Sequence, residues 1–322
     1  MKQRKLGSTG VNVSEIGFGT WQLGGISWVS PTEQECVNLL QYAFDQGVNL
    51  YDVSPSYGNG RSETLVAKAF PRNRDKVLIS GKVGVLEDGT YHGFWSERQL
   101  LESLEQSLHR LQTDYLDILS LHAPPMDVLK SGYAIDLLQR LKKKGVVRFI
   151  GVSLEAQPTE AIIALQQDID ILQIRFNLLF QEAEQVFQTV AEKNVGLIIN
   201  SPFAHGYLSG RYRRYEDIAD GDYPKGPFRA SKPRELVEGM IQAANTFHGK
   251  ERFGTLSLPQ TALSFVLSHP VSSVVPGHRS IEELNDNLAA NMRESFSSED
   301  LSRIRRINRD LSQHRQLAIE TA

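Results

Sequence analysis

The chain has 322 residues, of which 40% are hydrophobic and 23% are charged, and this length is enough for one large buried core. Its 35 Lys and Arg residues face 38 Asp and Glu residues, which gives a formal net charge of -3 at pH 7. Because no broad positive field is available for a phosphate backbone or an anionic bilayer, neither nucleic acid nor a membrane surface is an expected partner.

No segment of the sequence has the pattern of a membrane span or a secretory signal. The longest apolar runs, such as residues 197–199, are far shorter than the about 20 apolar residues that a span requires. The basic N-terminus leads into Gly7 and Gly10 and not into an apolar stretch, so the predicted location is the cytoplasm. Cys36 is the only cysteine and the histidines lack ligand spacing, so neither a disulfide within the chain nor a metal site is expected.

Short apolar runs of strand length recur along the chain. They cover residues 16–19, 48–51, 77–80, 116–121, 147–152, 171–176, 196–199 and 273–275. No Pro-rich linker, charge block or low-complexity tract separates them. Residues 1–322 are therefore expected to form one domain.

Segments with helical spacing lie between these runs. The first is predicted to begin after an N-cap at Ser30, with Pro31 at the first helical position and Glu33 three residues after the cap, and to stop at Gly47. Further helices are predicted from Ser96 with Gln99, over residues 131–144 with a stop at Gly145, and over residues 298–311. Each pattern indicates a helix that buries one face.

The alternation of strands and helices predicts an α/β fold with parallel strands and right-handed crossovers. Eight such units suit a (β/α)8 TIM barrel, which needs about 250 residues. A doubly wound sheet with a dinucleotide-binding turn would require a third glycine after Gly17 and Gly19, and the sequence lacks it. The remaining residues are predicted to form an N-terminal hairpin over residues 2–13 that plugs the barrel, a long loop over residues 207–227, and extra C-terminal helices.

Polar side chains stand at the ends of the predicted strands. They are Asp52, Lys82, His122, Ser153, Asn177, Asn200 and Ser201, with Tyr57 shortly after the second strand and Gln173 within the sixth. Because barrel interiors are apolar, polar residues at the carboxyl ends of the strands face the active site. A phenol titrates near pH 10, so Tyr57 can deliver a proton at neutral pH only beside a cation, and Lys82 supplies one.

The sequence resembles the aldo-keto reductase superfamily over nearly its whole length. The resemblance rests on Tyr51-Asp52-Val53-Ser54-Pro55-Ser56-Tyr57-Gly58 with Arg61-Ser62-Glu63, on Ser80-Gly81-Lys82-Val83-Gly84, and on Leu119-Ser120-Leu121-His122. It implies that Tyr57 is the general acid and base, that Lys82 and Asp52 tune it, and that His122 positions the carbonyl. Hydride would pass directly between a nicotinamide cofactor and the substrate carbon.

The same resemblance implies a set of cofactor-binding residues. They are Gly19, Thr20, Ser153, Gln173, Asn200, Ser201, Phe203, Gly206, Arg211, Gly277, Arg279, Glu283 and Asn287. The sequence departs from the family pattern at Leu154, where the family usually has Asn, and at Asn200, where it commonly has an aromatic residue. NADP(H) is the predicted cofactor because Arg279 could face the ribose 2′-phosphate, and NAD(H) is the alternative because Glu283 could bind a free ribose hydroxyl.

The predicted activity is the reduction of an aldehyde or ketone by NADP(H), on a small carbonyl or sugar substrate whose pocket Trp21 and Trp95 would line. An alternative is an aldose 1-dehydrogenase that oxidises a sugar hemiacetal to a lactone, which Asn200 and Glu283 favour. A third reading is a regulatory NADP-binding protein similar to channel β-subunits. The sequence determines neither the substrate, the preferred direction nor the oligomeric state.

Overall fold

The computed structural model describes residues 1–85, 94–155, 157–223, 234–248, 256–292 and 295–320. In these ranges the strands are β1 (Gln3–Lys5), β2 (Asn12–Ser14), β3 (Phe18–Gly19), β4 (Leu50–Asp52), β5 (Leu78–Val83), β6 (Leu116–His122), β7 (Val147–Leu154), β8 (Ile171–Arg175), β9 (Gly196–Asn200) and β10 (Ser273–Val274). The α-helices are α1 (Glu33–Asp45), α2 (Arg61–Ala69), α3 (Glu97–Leu111), α4 (Met126–Ser131), α5 (Tyr133–Lys143), α6 (Pro158–Leu165), α7 (Phe187–Glu192), α8 (Arg234–Asn245), α9 (Leu258–Leu267), α10 (Ile281–Ala289) and α11 (Ser298–Glu320).

Strands β3 to β10 form one parallel sheet in chain order. The sheet closes on itself because its two edges also meet. The amide of Gly17 donates to the carbonyl oxygen of Val274, and the amide of Gly19 donates to that of Pro276, both at 2.8 Å. The helices pack around this sheet, so the predicted (β/α)8 barrel is confirmed.

The barrel strands are buried on both faces, since one face points into the barrel and the other is covered by helices. All six residues of β5 are buried, and β6 is buried except at His122, its last residue. Within this apolar wall Lys82 is only 2% exposed. A buried ammonium is expensive unless it is paired, which already marks the end of β5 as a site.

The N-terminal hairpin covers the amino ends of the barrel strands, as predicted. Strands β1 and β2 pair antiparallel, with Arg4 opposite Val13. The amide of Ser8 donates to the carbonyl oxygen of Asn194, just before β9. Side chains from the hairpin and from the barrel join in one small core: Leu6, Val13, Leu50, Leu78, Ile118, Ile171, Ile198 and Val275. This core closes the end of the barrel opposite the strand carboxyl ends.

Helix α1 begins two residues later than its sequence pattern predicts. The N-cap is Thr32, whose hydroxyl accepts from the amide of Glu35, while the Glu35 carboxylate accepts from the amide of Thr32 at 2.9 Å. The prediction of Ser30 as the cap was wrong because the sequence contains two overlapping capping boxes. The Ser30 hydroxyl instead donates to the carbonyl oxygen of Leu23, 3.2 Å away.

The helix predicted over residues 131–144 is confirmed as α5, which begins at Tyr133 and ends at Lys143. It begins two residues later than predicted because Gly132, at a φ of +75°, separates it from α4, which ends at Ser131. The helix predicted from Ser96 is confirmed as α3, with the Ser96 and Gln99 side chains forming the capping box.

A long connection separates β9 from β10, and helices follow β10. Residues 201–223 of this connection cross the carboxyl end of the barrel, and α8 and α9 follow them; residues 224–227 of the predicted loop lie outside the described residues. The predicted C-terminal helix is confirmed and extends to Glu320 instead of ending at residue 311, since no Gly or Pro interrupts it.

Candidate active site

A cavity of about 790 Å³ opens at the carboxyl ends of the barrel strands. Strand ends contribute Asp52, His122, Ser153 and Asn200 to its wall, and the turn after β4 contributes Tyr57. The other lining residues include Gly19, Trp21, Gln22, Ser27, Asn59, Ser201, Phe203, His205, Gly206, Tyr223 and Gly277. Parallel strands end at the same edge of the barrel, so side chains that are far apart in sequence meet in this cavity.

Lys82 and Asp52 form a buried ion pair on neighbouring strands. The ammonium Nζ donates to both carboxylate oxygens of Asp52, at 2.7 and 2.6 Å, and to the carbonyl oxygen of Val53 at 3.2 Å. Burial lowers the pKa of Lys82, and the Asp52 carboxylate opposes that shift. The pair thus keeps a cation inside the barrel wall, where low polarizability makes its field strong.

An amide links this ion pair to the next strands. Gln173 donates from Nε2 to the Asp52 carboxylate at 2.8 Å and accepts at Oε1 from the Ser153 hydroxyl at 2.6 Å. All three side chains are buried. The chain of bonds fixes which end of the Gln173 amide carries the nitrogen, because its oxygen is needed by Ser153 and its nitrogen by Asp52.

The phenol of Tyr57 lies beside the cation. Lys82 Nζ lies 5.0 Å from the centroid of the Tyr57 ring, and the ring of His122 stands perpendicular to it with 6.2 Å between centroids. The turn that carries Tyr57 is tightly packed, because a Cβ on Gly58 would lie 2.1 Å from the carbonyl oxygen of Gly24. Only glycine permits this approach, so the turn has one position against the loop after β3.

His122 is neutral at physiological pH. Its pKa is lowered to about 3, mainly by burial and further by the Lys82 charge. Nδ1 lies 3.3 Å from the Ser54 hydroxyl oxygen, which itself accepts from the amide of Ser56 at 3.2 Å. The Ser54 hydroxyl also lies 2.8 Å from the Ser56 hydroxyl. When Ser56 donates in that contact, Ser54 can give its proton to Nδ1, which leaves the imidazole proton on Nε2.

Aromatic rings form one side of the cavity. The Trp21 ring packs edge-on against Tyr223, with 4.8 Å between centroids, and lies 6.4 Å from Tyr57. His205 and Trp28 complete the group, since both rings contact Trp21 and Tyr223. A planar or ring-shaped substrate can pack against this surface beside the phenol.

A second cavity of about 350 Å³ continues from the first. The two share four lining residues: Gln22, Phe203, Gly206 and Gly277. The Gln22 amide packs on Gly277 in this passage, because a Cβ there would lie 1.8 Å from Gln22 Oε1, and Gly206 has a φ of +92°. The combined crevice is long, and an extended ligand would fit it better than a compact one.

Both arginines in the wall of the second cavity are held in ion pairs. Arg211 pairs with Glu283, and Arg279 Nη1 lies 2.7 Å from Asp222 Oδ1. Glu283 also accepts from the backbone amide of Arg279 at 2.7 Å, and Asn287 lies in the same wall. Both guanidinium groups therefore border the crevice with carboxylate partners already in place.

Besides Lys82, three of the predicted site residues do not line either cavity. Thr20 is buried and its hydroxyl donates to the carbonyl oxygen of Asp52 at 2.7 Å. Gln173 lies beneath the wall, in the network with Asp52 and Ser153. Trp95 is buried against Gly84, where a Cβ would lie 2.2 Å from the indole ring. The remaining predicted residues other than Lys82 are in the walls of the two cavities.

Several lining or supporting residues carried no signal in the sequence. Ser54 contacts His122 across 68 positions of sequence, Asp222 meets Arg279 across 57, and Tyr223 packs on Trp21. Asn177, predicted at the end of the sixth strand, donates from its amide to the carbonyl oxygen of Ser201 and so supports the loop after β9. These contacts depend on loop paths that local patterns do not encode.

Across the described ranges, no group of three or more His, Cys, Asp and Glu side chains is arranged to hold a metal ion. In the same ranges, no helix combines the length and apolar character needed to cross a membrane.

Comparison with known proteins gives one consistent match. The sequence model of the Aldo/keto reductase family matches residues 15–309. The NADH-specific methylglyoxal reductase of Escherichia coli is 27% identical over 90% of this chain and 93% of its own, and L-galactose dehydrogenase of Arabidopsis thaliana is 29% identical over 89% and 87%. Among solved structures, the holo form of aldo-keto reductase AKR11C1 from Bacillus halodurans has a TM-score of 0.77 and 26% identity, covering 95% of this chain and 96% of its own.

Proposed function

The chain belongs to the aldo/keto reductase family, and from this premise we propose that it reduces an aldehyde or ketone to an alcohol with NADP(H). It is an oxidoreductase, and enzymes of this family use a nicotinamide cofactor. The observation that carries the proposal is the stack of Asp52, Lys82 and Tyr57, in which a buried cation lies 5.0 Å from the ring of a phenol on the cavity wall.

In the proposed reaction Tyr57 donates its phenolic proton to the oxygen of the substrate carbonyl. The positive charge of Lys82 stabilises the phenolate that remains, and Asp52 stabilises the cation in its buried position. The bound nicotinamide supplies the hydride. In the reverse direction Tyr57 takes the proton back from the alcohol, so the same residues serve both directions.

His122 is proposed to orient the carbonyl oxygen. Because the imidazole is neutral and Ser54 occupies Nδ1, the proton on Nε2 can donate a hydrogen bond to that oxygen. A neutral donor polarises the carbonyl without competing with Tyr57 as the acid. The aromatic group around Trp21 would hold the rest of the substrate.

The joined cavities fit a dinucleotide. The first cavity would hold the nicotinamide, where Ser153 and Asn200 provide polar side chains beside Tyr57 and His122. Gly206 and Gly277 line the passage between the two cavities, where a pyrophosphate would lie, and Arg211, Arg279 and Asn287 line the far end. Further proposed contacts are at Gly19, Ser201 and Phe203 in the first cavity, whereas Thr20 and Gln173 would act from beneath it.

NADP(H) is proposed because two guanidinium groups border the far cavity, and a guanidinium suits a phosphate dianion. NAD(H) is the alternative, and one observation favours it: Glu283 points its carboxylate at Arg211 and at the Arg279 amide, where it could instead accept from a ribose hydroxyl. The name of the Escherichia coli relative specifies NADH.

A second candidate activity is the oxidation of a sugar hemiacetal to a lactone. It is favoured by Asn200, which lies in the nicotinamide end of the crevice and donates to the carbonyl oxygen of Leu154 at 3.3 Å. The Arabidopsis relative is named L-galactose dehydrogenase. Both activities use the same proton donor and differ only in the direction and the substrate.

Initial rates in both directions, measured with NADPH, NADH, NADP⁺ and NAD⁺ on panels of aldehydes, ketones and aldoses, test the proposal. We expect carbonyl reduction with NADPH to be the fastest reaction. Oxidation of aldoses with NAD⁺ as the only activity would replace it by the dehydrogenase. Cofactor binding without turnover on either panel would favour a regulatory protein.

A further inference from the structure

An ion pair with a fully buried carboxylate lies behind the turn that carries Tyr57. Glu63, in the first turn of α2, is fully buried, and Arg110, in the last turn of α3, donates from Nε to its Oε2 at 2.6 Å. The Arg110 side chain is 18% exposed. Burying such a pair costs more desolvation than its attraction returns in many proteins, so stability alone is a weak reason for it.

The pair is packed directly on the Tyr57 turn. Arg110 lies against Gly60, where a Cβ would be 2.4 Å from Nε, and Gly60 has a φ of +79°. The amide of Gly60 donates to the carbonyl oxygen of Pro55 at 2.8 Å, and the amide of Ser62 to that of Tyr57 at 3.2 Å. With Gly24 against the opposite side at Gly58, the turn is clamped from two directions.

The same pair lies within electrostatic reach of the cation that faces the phenol. The Glu63 carboxylate acts with Asp52 to raise the pKa of Lys82, against the larger lowering by burial. Arg110 carries the opposite charge beside Glu63, so it offsets part of this negative charge at Lys82 and Tyr57. The other charged or titratable groups nearest the phenol are Asp52 on β4, Lys82 on β5 and His122 on β6. The cavity wall also carries Glu155, His205 and Tyr223.

We propose that Glu63 and Arg110 form a positioning pair for Tyr57: together they fix the turn that carries the phenol, and their opposite charges act against each other at Lys82 and at the phenol. This inference rests on the proposed role of Tyr57 as the proton donor. It goes beyond that role because it assigns the tuning of the donor to four charged groups instead of two.

The positioning pair predicts the direction in which each variant shifts the pH dependence of kcat. In the reductive direction Tyr57 must be protonated, so activity falls as the pH rises through its pKa. Glu63→Gln removes a negative charge and leaves Arg110, which favours the phenolate and moves the basic limb of kcat to lower pH. Arg110→Met leaves Glu63 and moves the limb to higher pH. We expect shifts of about half a pH unit or more in each direction.

The double variant Glu63→Gln/Arg110→Met should return the limb toward its original position, while kcat stays reduced because the clamp is lost. Arg110→Lys keeps the charge and loses the planar contact on Gly60, so it should restore the pH profile but not the full rate. Arg98→Met is the matched control, since Arg98 lies on the same helix in an exposed pair with Glu102 and should change neither rate nor profile.

Folding is checked for each variant by circular dichroism and by cofactor titration, and Arg110→Lys keeps the test open if Arg110→Met fails to fold. Single variants that shift the limb in the same direction, or leave it in place, would overturn the inference. Tyr57→Phe separates the two claims: full activity in that variant defeats the proposed function itself, whereas an inactive Tyr57→Phe with unshifted Glu63→Gln defeats only the positioning pair.

Discussion

Arg279, in the wall of the second cavity, forms a salt bridge of 2.7 Å with Asp222, and the two side chains are only 12% and 4% exposed. Arg211 and Glu283, which both line that cavity, form another pair. In this pair the arginine precedes the carboxylate along the chain, whereas Asp222 precedes Arg279. The loop after β9 thus contributes one arginine and one carboxylate, and the segment after β10 contributes the other two. Each guanidinium therefore already holds a carboxylate, and a 2′-phosphate would bind to its remaining N–H groups or displace that carboxylate.

The first prediction concerns this competition. Arg279→Ala should weaken NADPH by about 1.5–3 kcal/mol, the range for hydrogen bonds to charged groups, and leave NADH nearly unchanged. Glu283→Gln should tighten NADPH, because it removes a carboxylate from the phosphate end. Fluorescence titration with both cofactors measures the two effects, and Arg214→Ala, at an exposed pair in the same loop, is the control. If Glu283→Gln instead weakens NADH while Arg279→Ala changes neither affinity, the cofactor is NAD.

The second prediction tests the proton donor. Tyr57→Phe removes the hydroxyl and keeps the ring that packs beside Lys82 and His122. We expect kcat to fall by about two or more orders of magnitude, the range for general acid catalysis, with cofactor affinity nearly unchanged. Steady-state rates and cofactor titration check this result, and a variant that keeps its rate rules out Tyr57 as the acid.

The third prediction concerns the cation. Lys82→Met leaves the Asp52 carboxylate buried with only the Gln173 amide beside it, and a broken buried pair costs about 3–5 kcal/mol. The free energy of unfolding should fall by that order, and the rate should fall as in Tyr57→Phe. Lys68→Met, at an exposed pair with Glu33, should change both quantities little. A normal rate and pH profile in Lys82→Met would show that the charge does not tune the phenol.

The fourth prediction concerns the proton on His122. Ser54→Ala removes the hydroxyl from Nδ1, so the imidazole is no longer held with its proton on Nε2. Losing one such hydrogen bond corresponds to about 1 kcal/mol, so kcat should fall by roughly fivefold. Ser54→Thr restores the hydroxyl and should recover much of the rate. Nitrogen chemical shifts of the imidazole report the tautomer directly, and an unchanged tautomer in Ser54→Ala contradicts the assignment.

The fifth prediction is a pH dependence of stability at the C-terminal helix. His269, with Nε2 at 3.6 Å, and Arg305 on α11 hold the pKa of Glu184 at about 2, against burial, which raises it. A carboxyl group whose pKa is lower in the folded state stabilises the fold above its unfolded value near 4.5, and this contribution disappears as the pH falls toward 2. Since Glu184 is 29% exposed, we expect about 1–2 kcal/mol.

Glu184→Gln should therefore lower the free energy of unfolding at pH 7, and the difference from the original chain should shrink between pH 4.5 and 2. Urea unfolding at a series of pH values measures this difference. Glu192→Gln is the control, because Glu192 is an exposed residue of α7 that accepts from Gln188. A difference that grows on acidification would contradict the sign of the linkage.

The sequence alone predicted the barrel and the position of the polar strand ends. Buried strands consist of apolar runs, and parallel strands are connected by helices that bury one face. Both therefore leave a regular spacing of apolar residues that can be read in the sequence. Asp52, Lys82 and His122 could be found because each ends a strand, and the strands of a barrel end on one face. Even the capping pattern near α1 was visible, although it predicted a start after Ser30 and the helix begins after Thr32.

Only the tertiary structure decided which of these local choices is used and which side chains meet. The path of the loop after β9 brings Asp222 to Arg279 and Tyr223 to Trp21, and the packing of α2 on α3 places Arg110 behind the Tyr57 turn. The physical reason is the separation along the chain between the residues that interact. Periodicity and capping depend on neighbours within about one or two turns of chain, whereas these contacts join segments whose separation is set by the closed barrel.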